Sequence, residues 1–181
     1  MKKTFLFLSF LVVTGSLMAQ KVTTTSAVIS FDASTPKDVL PKAENKTVIG
    51  SLDKSTGIIL FEAAVNNFAF SNPMVQDHFN GDKWMNSAAF PKFTFSGKID
   101  KLSKVKFNKN GSYGVTVSGN LTIKGISKPV SAPAKITVLD GKVTATSAFS
   151  IILADYGISG QAPIEAGKVA KEPKITVSAA F

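Results

Sequence analysis

Alternation of apolar and polar side chains with a period of two runs through the second half of this chain. In residues 92–100, Phe93, Phe95, Gly97 and Ile99 share one face, and Lys92, Thr94, Ser96, Lys98 and Asp100 share the other. In residues 112–124, Tyr113, Val115, Val117, Gly119, Leu121 and Ile123 lie opposite a row that is largely Ser, Thr, Asn and Lys. The pattern resumes over residues 130–138, 143–153 and 175–181, placing Phe149 and Ile151 on an apolar face. A period of two specifies strands. One apolar and one polar face specify antiparallel strands that are covered on one side only.

Further strands are expected over residues 22–31, 47–52 and 58–68 and near residues 104–107, giving about eight or nine. Asp140-Gly141 and Asn110-Gly111 are strong two-residue hairpin signals, because both residues of each pair tolerate positive φ. Residues 53–57 form a longer turn. Several strands exceed the usual five or six residues. Long strands with a single apolar face suit a sheet closed on itself, so the expected fold is an all-β antiparallel closed barrel of about eight strands. A two-layer sandwich is the alternative.

One short helical insertion, near residues 73–87, interrupts the period. Asn72 can cap it, Pro73 fits its first turn, and Asn80-Gly81 can end it in a left-handed conformation. Val75 and Phe79 stack one turn apart, which directs this helix against or across the barrel.

Residues 1–19 read as a secretory signal. Lys2 and Lys3 precede a largely apolar run from residue 5 to residue 13, and Ala19 is small enough for cleavage before Gln20. The expected product is one exported domain, residues 20–181, in the periplasm. The formal net charge of +9 falls to +7 when the two leader lysines are removed. Every basic residue is lysine, so the main base-reading side chain is missing and a nucleic-acid partner is not expected. Transient contact with an anionic membrane surface suits the charge better.

The chain has no cysteine and one histidine, which excludes thiolate metal sites, cysteine nucleophiles and multi-histidine metal centres. No metal and no cofactor are expected. There is no Gly-x-Ser-x-Gly elbow and no glycine-rich phosphate loop. These omissions argue against an enzyme. A hydrolase or isomerase working through His78 or Asp155 is the rival, and a structural or stress-associated secreted protein with a filled core is a third reading.

Of the 14 phenylalanines, Phe5, Phe7 and Phe10 belong to the leader, and the eleven that remain are rich on apolar faces. Inward positions by alternation include Phe61, Phe93, Phe95, Tyr113, Val115, Val117, Phe149 and Ile151, with Phe68 and Phe70 close to the helix. An eight-stranded barrel is wide enough to be filled by its side chains or to hold one slender ligand. Small residues at the inward positions Gly97, Gly119, Ala132, Ala134, Ala145 and Ser147 fit either outcome.

Ordered blocks along the chain resemble the YceI-like family. They are Phe68-Ala-Phe-Ser-Asn-Pro-Met-Val-Gln-Asp-His-Phe-Asn80, Trp84-Met-Asn-Ser87, Phe90-Pro-Lys-Phe-Thr-Phe-Ser-Gly97, Val117-Ser-Gly-Asn-Leu-Thr-Ile-Lys-Gly-Ile-Ser-Lys-Pro-Val130 and Leu153-Ala-Asp-Tyr-Gly-Ile158. The resemblance implies a lipocalin-like barrel that binds a polyisoprenoid or other long amphiphilic lipid inside, such as a quinone or polyprenyl chain, with no catalytic residues to carry over. Read with the strand alternation, the expected binding interior is made of Phe61, Phe68, Phe70, Phe93, Phe95, Tyr113, Val115, Val117, Phe149 and Ile151. Met74, His78, Phe79 and Trp84 are expected to border the mouth. A homodimer is compatible with this reading.

Overall fold

A computed structural model describes residues 20–181; the expected leader and its cleavage point lie outside the described residues. The strands are β1 (Lys21–Asp32), β2 (Lys42–Asp53), β3 (Ile58–Ala64), the two-residue β4 (Ala69–Phe70), β5 (Lys92–Ile99), β6 (Gly111–Ile123), β7 (Ile126–Leu139), β8 (Lys142–Ser150) and β9 (Lys174–Ala180). All pairings are antiparallel: β1 to β3 and β5 to β9 pair in chain order, β3 pairs with β5, and β1 pairs with both β2 and β9. The result is a closed eight-stranded barrel in which β4 continues the line of β3 beside β2. Closure of a single sheet excludes the sandwich.

Two lower-end connections follow ordinary turn chemistry. Asp140-Gly141 joins β7 to β8 with positive φ at both residues, 50° and 79°. Asp53 holds the 53–57 turn by accepting from the Ser55 hydroxyl at 2.6 Å and the Ser55 N–H at 2.8 Å. At the upper end, Lys124-Gly125 makes an equivalent turn, at 51° and 74°, without an Asn or Asp to announce it.

Other expectations need correction. Asn110-Gly111 is not a hairpin, because β5 reaches β6 through the longer connection 100–110. Asn110 instead ties the lower rim together, donating to Asp140 Oδ1 at 3.0 Å and accepting from the Asp140 N–H at 2.9 Å. Residues 104–107 are not a strand. Val105 is buried and Phe107 half-buried, and they point into the lower core from a loop, so their spacing of two imitates alternation. β3 stops at Ala64, where a short 3₁₀ turn, Val65–Asn67, takes over.

Helix α1 (Pro73–Asn80) starts as expected, with Asn72 Oδ1 accepting from the Met74 N–H at 2.9 Å. It does not end in a left-handed residue. Gly81 has φ −65° and donates to the carbonyls of Asp77 and His78, while Asn86 further on has φ 47°.

The lower barrel is solid. Leu52, Ile136, Val138 and Val143 are at most 2% exposed, and Tyr113, Val115 and Phe95 pack with them. Backbones crowd together where Gly97 of β5 faces Gly119 of β6. A Cβ on Gly119 would stand 2.4 Å from both Gly97 Cα and Ser96 O, and one on Gly97 would stand 2.6 Å from the Phe95 ring. These glycines therefore allow a close approach of two backbones under the Phe95 ring that no side chain could replace. Gly119→Ala is expected to cost about 2–3 kcal/mol, the upper part of the overpacking range, read from the urea midpoint.

Acid should also loosen the fold. Burial raises the Asp32 carboxyl, but hydrogen bonds from the Ser34 hydroxyl and N–H, together with Lys42 at 3.1 Å, outweigh it and hold the group below the usual carboxylate range. Asp53 is likewise lowered, by the Ser55 hydroxyl and the Ser55 and Thr56 N–H groups. A lowered folded value means that the unfolded chain binds protons first, so this stability is present at neutral pH and lost as pH falls through the folded value. The urea midpoint should drop between pH 7 and about pH 3, and Asp32→Asn should flatten that slope.

Candidate functional site

Above the solid floor, the inward faces leave a cavity of about 140 Å³. Ile59, Ile136 and Ala145 border it from the floor, and Phe61, Phe93, Phe95, Val117, Leu121 and Phe149 form much of its wall. Of its 25 lining residues, only Thr146 and Ser147 carry a polar side chain. The Ser147 hydroxyl donates to the Pro133 carbonyl at 2.7 Å, so it is committed to the wall.

Two segments cover the upper end. The first is α1 with the turns that follow it. Phe79 is buried and lies 4.9 Å from the Phe70 ring, 6.0 Å from Phe68 and 6.3 Å from Phe31, centroid to centroid. Met85 follows it into the cavity wall. The second is the stretch between β8 and β9, where a 3₁₀ turn (Leu153–Tyr156) and the one-turn helix α2 (Ala162–Glu165) bury Leu153, Tyr156, Ile158 and Ile164. Gln161 Nε2 donates to the Lys83 carbonyl at 2.8 Å and joins the two covers. Burial, with a smaller contribution from Asp155, pushes the Tyr156 phenol up, so it stays uncharged.

Seven of the ten expected interior residues border the cavity: Phe61, Phe68, Phe93, Phe95, Val117, Phe149 and Ile151. Three lie elsewhere. Tyr113 and Val115 belong to the floor, because β6 starts at the lower end, and the Tyr113 hydroxyl donates to the Lys109 carbonyl at 3.0 Å. Phe70 sits behind Phe79, against Phe31, as part of the cover. Of the mouth residues, Phe79 lines the cavity and Trp84 packs half-buried on the upper core, whereas Met74 and His78 face solvent. Asp155 is exposed on its turn, so neither side chain of the rival catalytic reading lines the cavity. Among the described residues, no group of three or more His, Cys, Asp or Glu side chains is placed to hold a metal.

Sequence reasoning missed Met85 and Ile158, which come from irregular segments with no period to read. It also missed Ile29 and Phe31. Their alternation with Ala27 along β1 was available as a signal.

The small inward residues divide by role. Ala132, Ala134, Ala145 and Ser147 border the cavity, whereas Gly97 and Gly119 make room for the close strand approach under Phe95.

Charge is uneven around the barrel. The lower stretch 98–109 carries Lys98, Lys101, Lys104, Lys106 and Lys109 against Asp100 alone. The ion pairs formed among the described residues, Lys42–Asp32, Lys46–Glu44 and Lys92–Glu62, belong to the upper half. No helix of the described residues is long and apolar enough to cross a membrane.

Solved structures share the barrel. BcnA of Burkholderia cenocepacia superposes with a TM-score of 0.70 at 19% identity, covering 86% of this chain and 96% of that one. A polyisoprenoid binding domain from Saccharophagus degradans, implicated in plant cell wall breakdown, gives 0.70 at 15% identity, over 85% and 92% of the two chains. The YceI protein of Campylobacter jejuni gives 0.54 at 19% identity, over 75% and 80%. A UPF0312 protein of Yersinia pestis is 42% identical over 60 residues, which span 33% of this chain and 27% of that protein. The chain thus spans about a quarter of the length of the curated relatives it matches. The profile of the YceI-like domain matches residues 8–181, and with that match and this barrel the chain belongs to the YceI-like family.

Proposed function

We propose that this protein binds the hydrocarbon chain of an isoprenoid-type lipid, a quinone or polyprenyl compound, inside the barrel and carries or sequesters it in the periplasm. The observation that carries this reading is the cavity lining, apolar in all but two of 25 residues and enclosed by a closed sheet. Binding would be driven by desolvation, at about 0.8 kcal/mol per buried CH₂. For a ligand of about forty heavy atoms, about 0.3 kcal/mol per atom gives a ceiling near −12 kcal/mol, enough to retain ligand through purification. The polyisoprenoid binding domain among the structural neighbours supports the ligand class.

Transient contact with a lipid surface belongs to the same reading. Val39, Leu40, Met74 and Ile152 are exposed at the upper end, beside the covered cavity, while the lysine-rich stretch lies at the other. Mass spectrometry of an organic extract of protein purified from the periplasm should find such a lipid near one per barrel; extracts without any lipid would overturn the reading. Intact mass of the same sample tests export. The expected chain starts at Gln20, and retention of residues 1–19 would refute cleavage there.

A further inference from the structure

The wall of the barrel parts between two neighbouring strands. β7 and β8 pair from Leu139↔Lys142 up to Ala134↔Ser147, and there the pairing stops. β7 nevertheless continues through residues 126–133, bonded on its other side to β6, and β8 continues through residues 148–150, bonded on its other side to β9. The cause is in the sequence. The Pro133 carbonyl accepts from Ser147 on β8, so it faces β8. In an antiparallel strand a residue's N–H and C=O point to the same side. The ring nitrogens of Pro133 and of Pro129, four residues nearer the start of β7, therefore lack N–H groups where β8 and its continuation would need donors.

The gap has a defined frame. The Ser147–Pro133 bond of 2.7 Å closes its lower edge. Its upper edge is the Leu153–Tyr156 turn, after which Gly157, at φ 70°, brings the chain against Ile126 at the start of β7. Directly behind it, Val130 and Ala132 of β7, Phe149 of β8 and Ile151 just after β8 line the cavity. The upper cover is the costlier way in, because opening it unpacks buried Phe79, Met85, Leu153 and Ile158. Widening the seam breaks no ladder bond above Ala134.

We infer that the β7–β8 seam is a lateral portal through which the hydrocarbon chain of an amphiphile slides between a lipid surface and the cavity. The inference rests on the lipid-binding reading above. Exposed Ile126 and Ile152 flank the portal's outer end and supply the apolar contact with that surface.

The protein contains no cysteine, so an introduced pair is unambiguous. Extending the register by one-for-one pairing from Ala134↔Ser147 sets Ser131 opposite Ser150, and opposed residues of this kind are spaced for a disulfide when the seam is shut. Uptake of a pyrene-labelled polyprenol from phosphatidylethanolamine–phosphatidylglycerol vesicles is followed by stopped flow. Oxidised Ser131→Cys/Ser150→Cys should load at least about tenfold more slowly, as expected when a gate is locked, and reductant should restore the rate with final occupancy unchanged. Pro129→Thr/Pro133→Thr, which returns two donors facing β8, should slow loading without any crosslink and decides alone if the disulfide does not form. Wild-type loading rates in both closed variants would overturn the portal. Failure of the wild type itself to load would overturn the lipid reading, and the portal with it.

Discussion

Ala145→Trp is expected to give a folded barrel whose organic extract contains no lipid. Ala145 is buried and lies opposite Ile136 and Ala179, with the cavity on one side and the floor on the other. An indole placed there has a bulk of the same order as the 140 Å³ that is open. It can turn into the cavity without displacing the floor. The readouts are a cooperative urea transition close to that of the parent and loss of the co-purifying lipid. In a solid core the same residue would overpack and cost stability. An insoluble or unfolded product would therefore refute the carrier reading in this form.

Truncation in the floor should be far more damaging than truncation in the cavity wall. Leu52 is wholly buried within the lower core, and Leu52→Ala should lose about 3–5 kcal/mol, the range for a large residue cut from a close-packed site. Phe149 and Phe93 border space that is already empty, so part of each ring has no packing partner to lose. Phe149→Ala and Phe93→Ala should each cost delipidated protein clearly less than Leu52→Ala, while weakening lipid retention. Urea titration of stripped protein and lipid stoichiometry of native protein read the two effects separately. Equal, core-sized penalties at all three positions would mean that the barrel is filled.

The strands were legible because each has one dry face, and a one-residue slip would turn all of its side chains over. β5, β6, β8 and β9 could be placed within a few residues on that ground alone. Height along the barrel was not legible. Alternation assigns Tyr113, Val115 and Val117 to the same inner face, and nothing in their spacing says that the first two meet the floor while Val117 reaches the cavity. That difference depends on how strands of unequal length are staggered. The covers were half visible: Asn72-Pro73 announced α1, but Met85 and Ile158 arrive through turns whose geometry is set by contacts distant in the chain. Val105 and Phe107 show the converse error, a local pattern of two imposed by a loop that dips into the core.

An interrupted ladder ordinarily invites trouble, since free backbone groups along an edge are a template for strand addition by another molecule and hence for aggregation. Pro129 and Pro133 change what that edge can recruit. An incoming peptide would leave carbonyls unmatched opposite both rings, an expense that buried backbone rarely tolerates. A hydrocarbon tail has no hydrogen bonds to satisfy and meets no such obstacle. The two prolines thus make the opening selective by chemistry as well as by width, admitting acyl-like chains and turning polypeptide away.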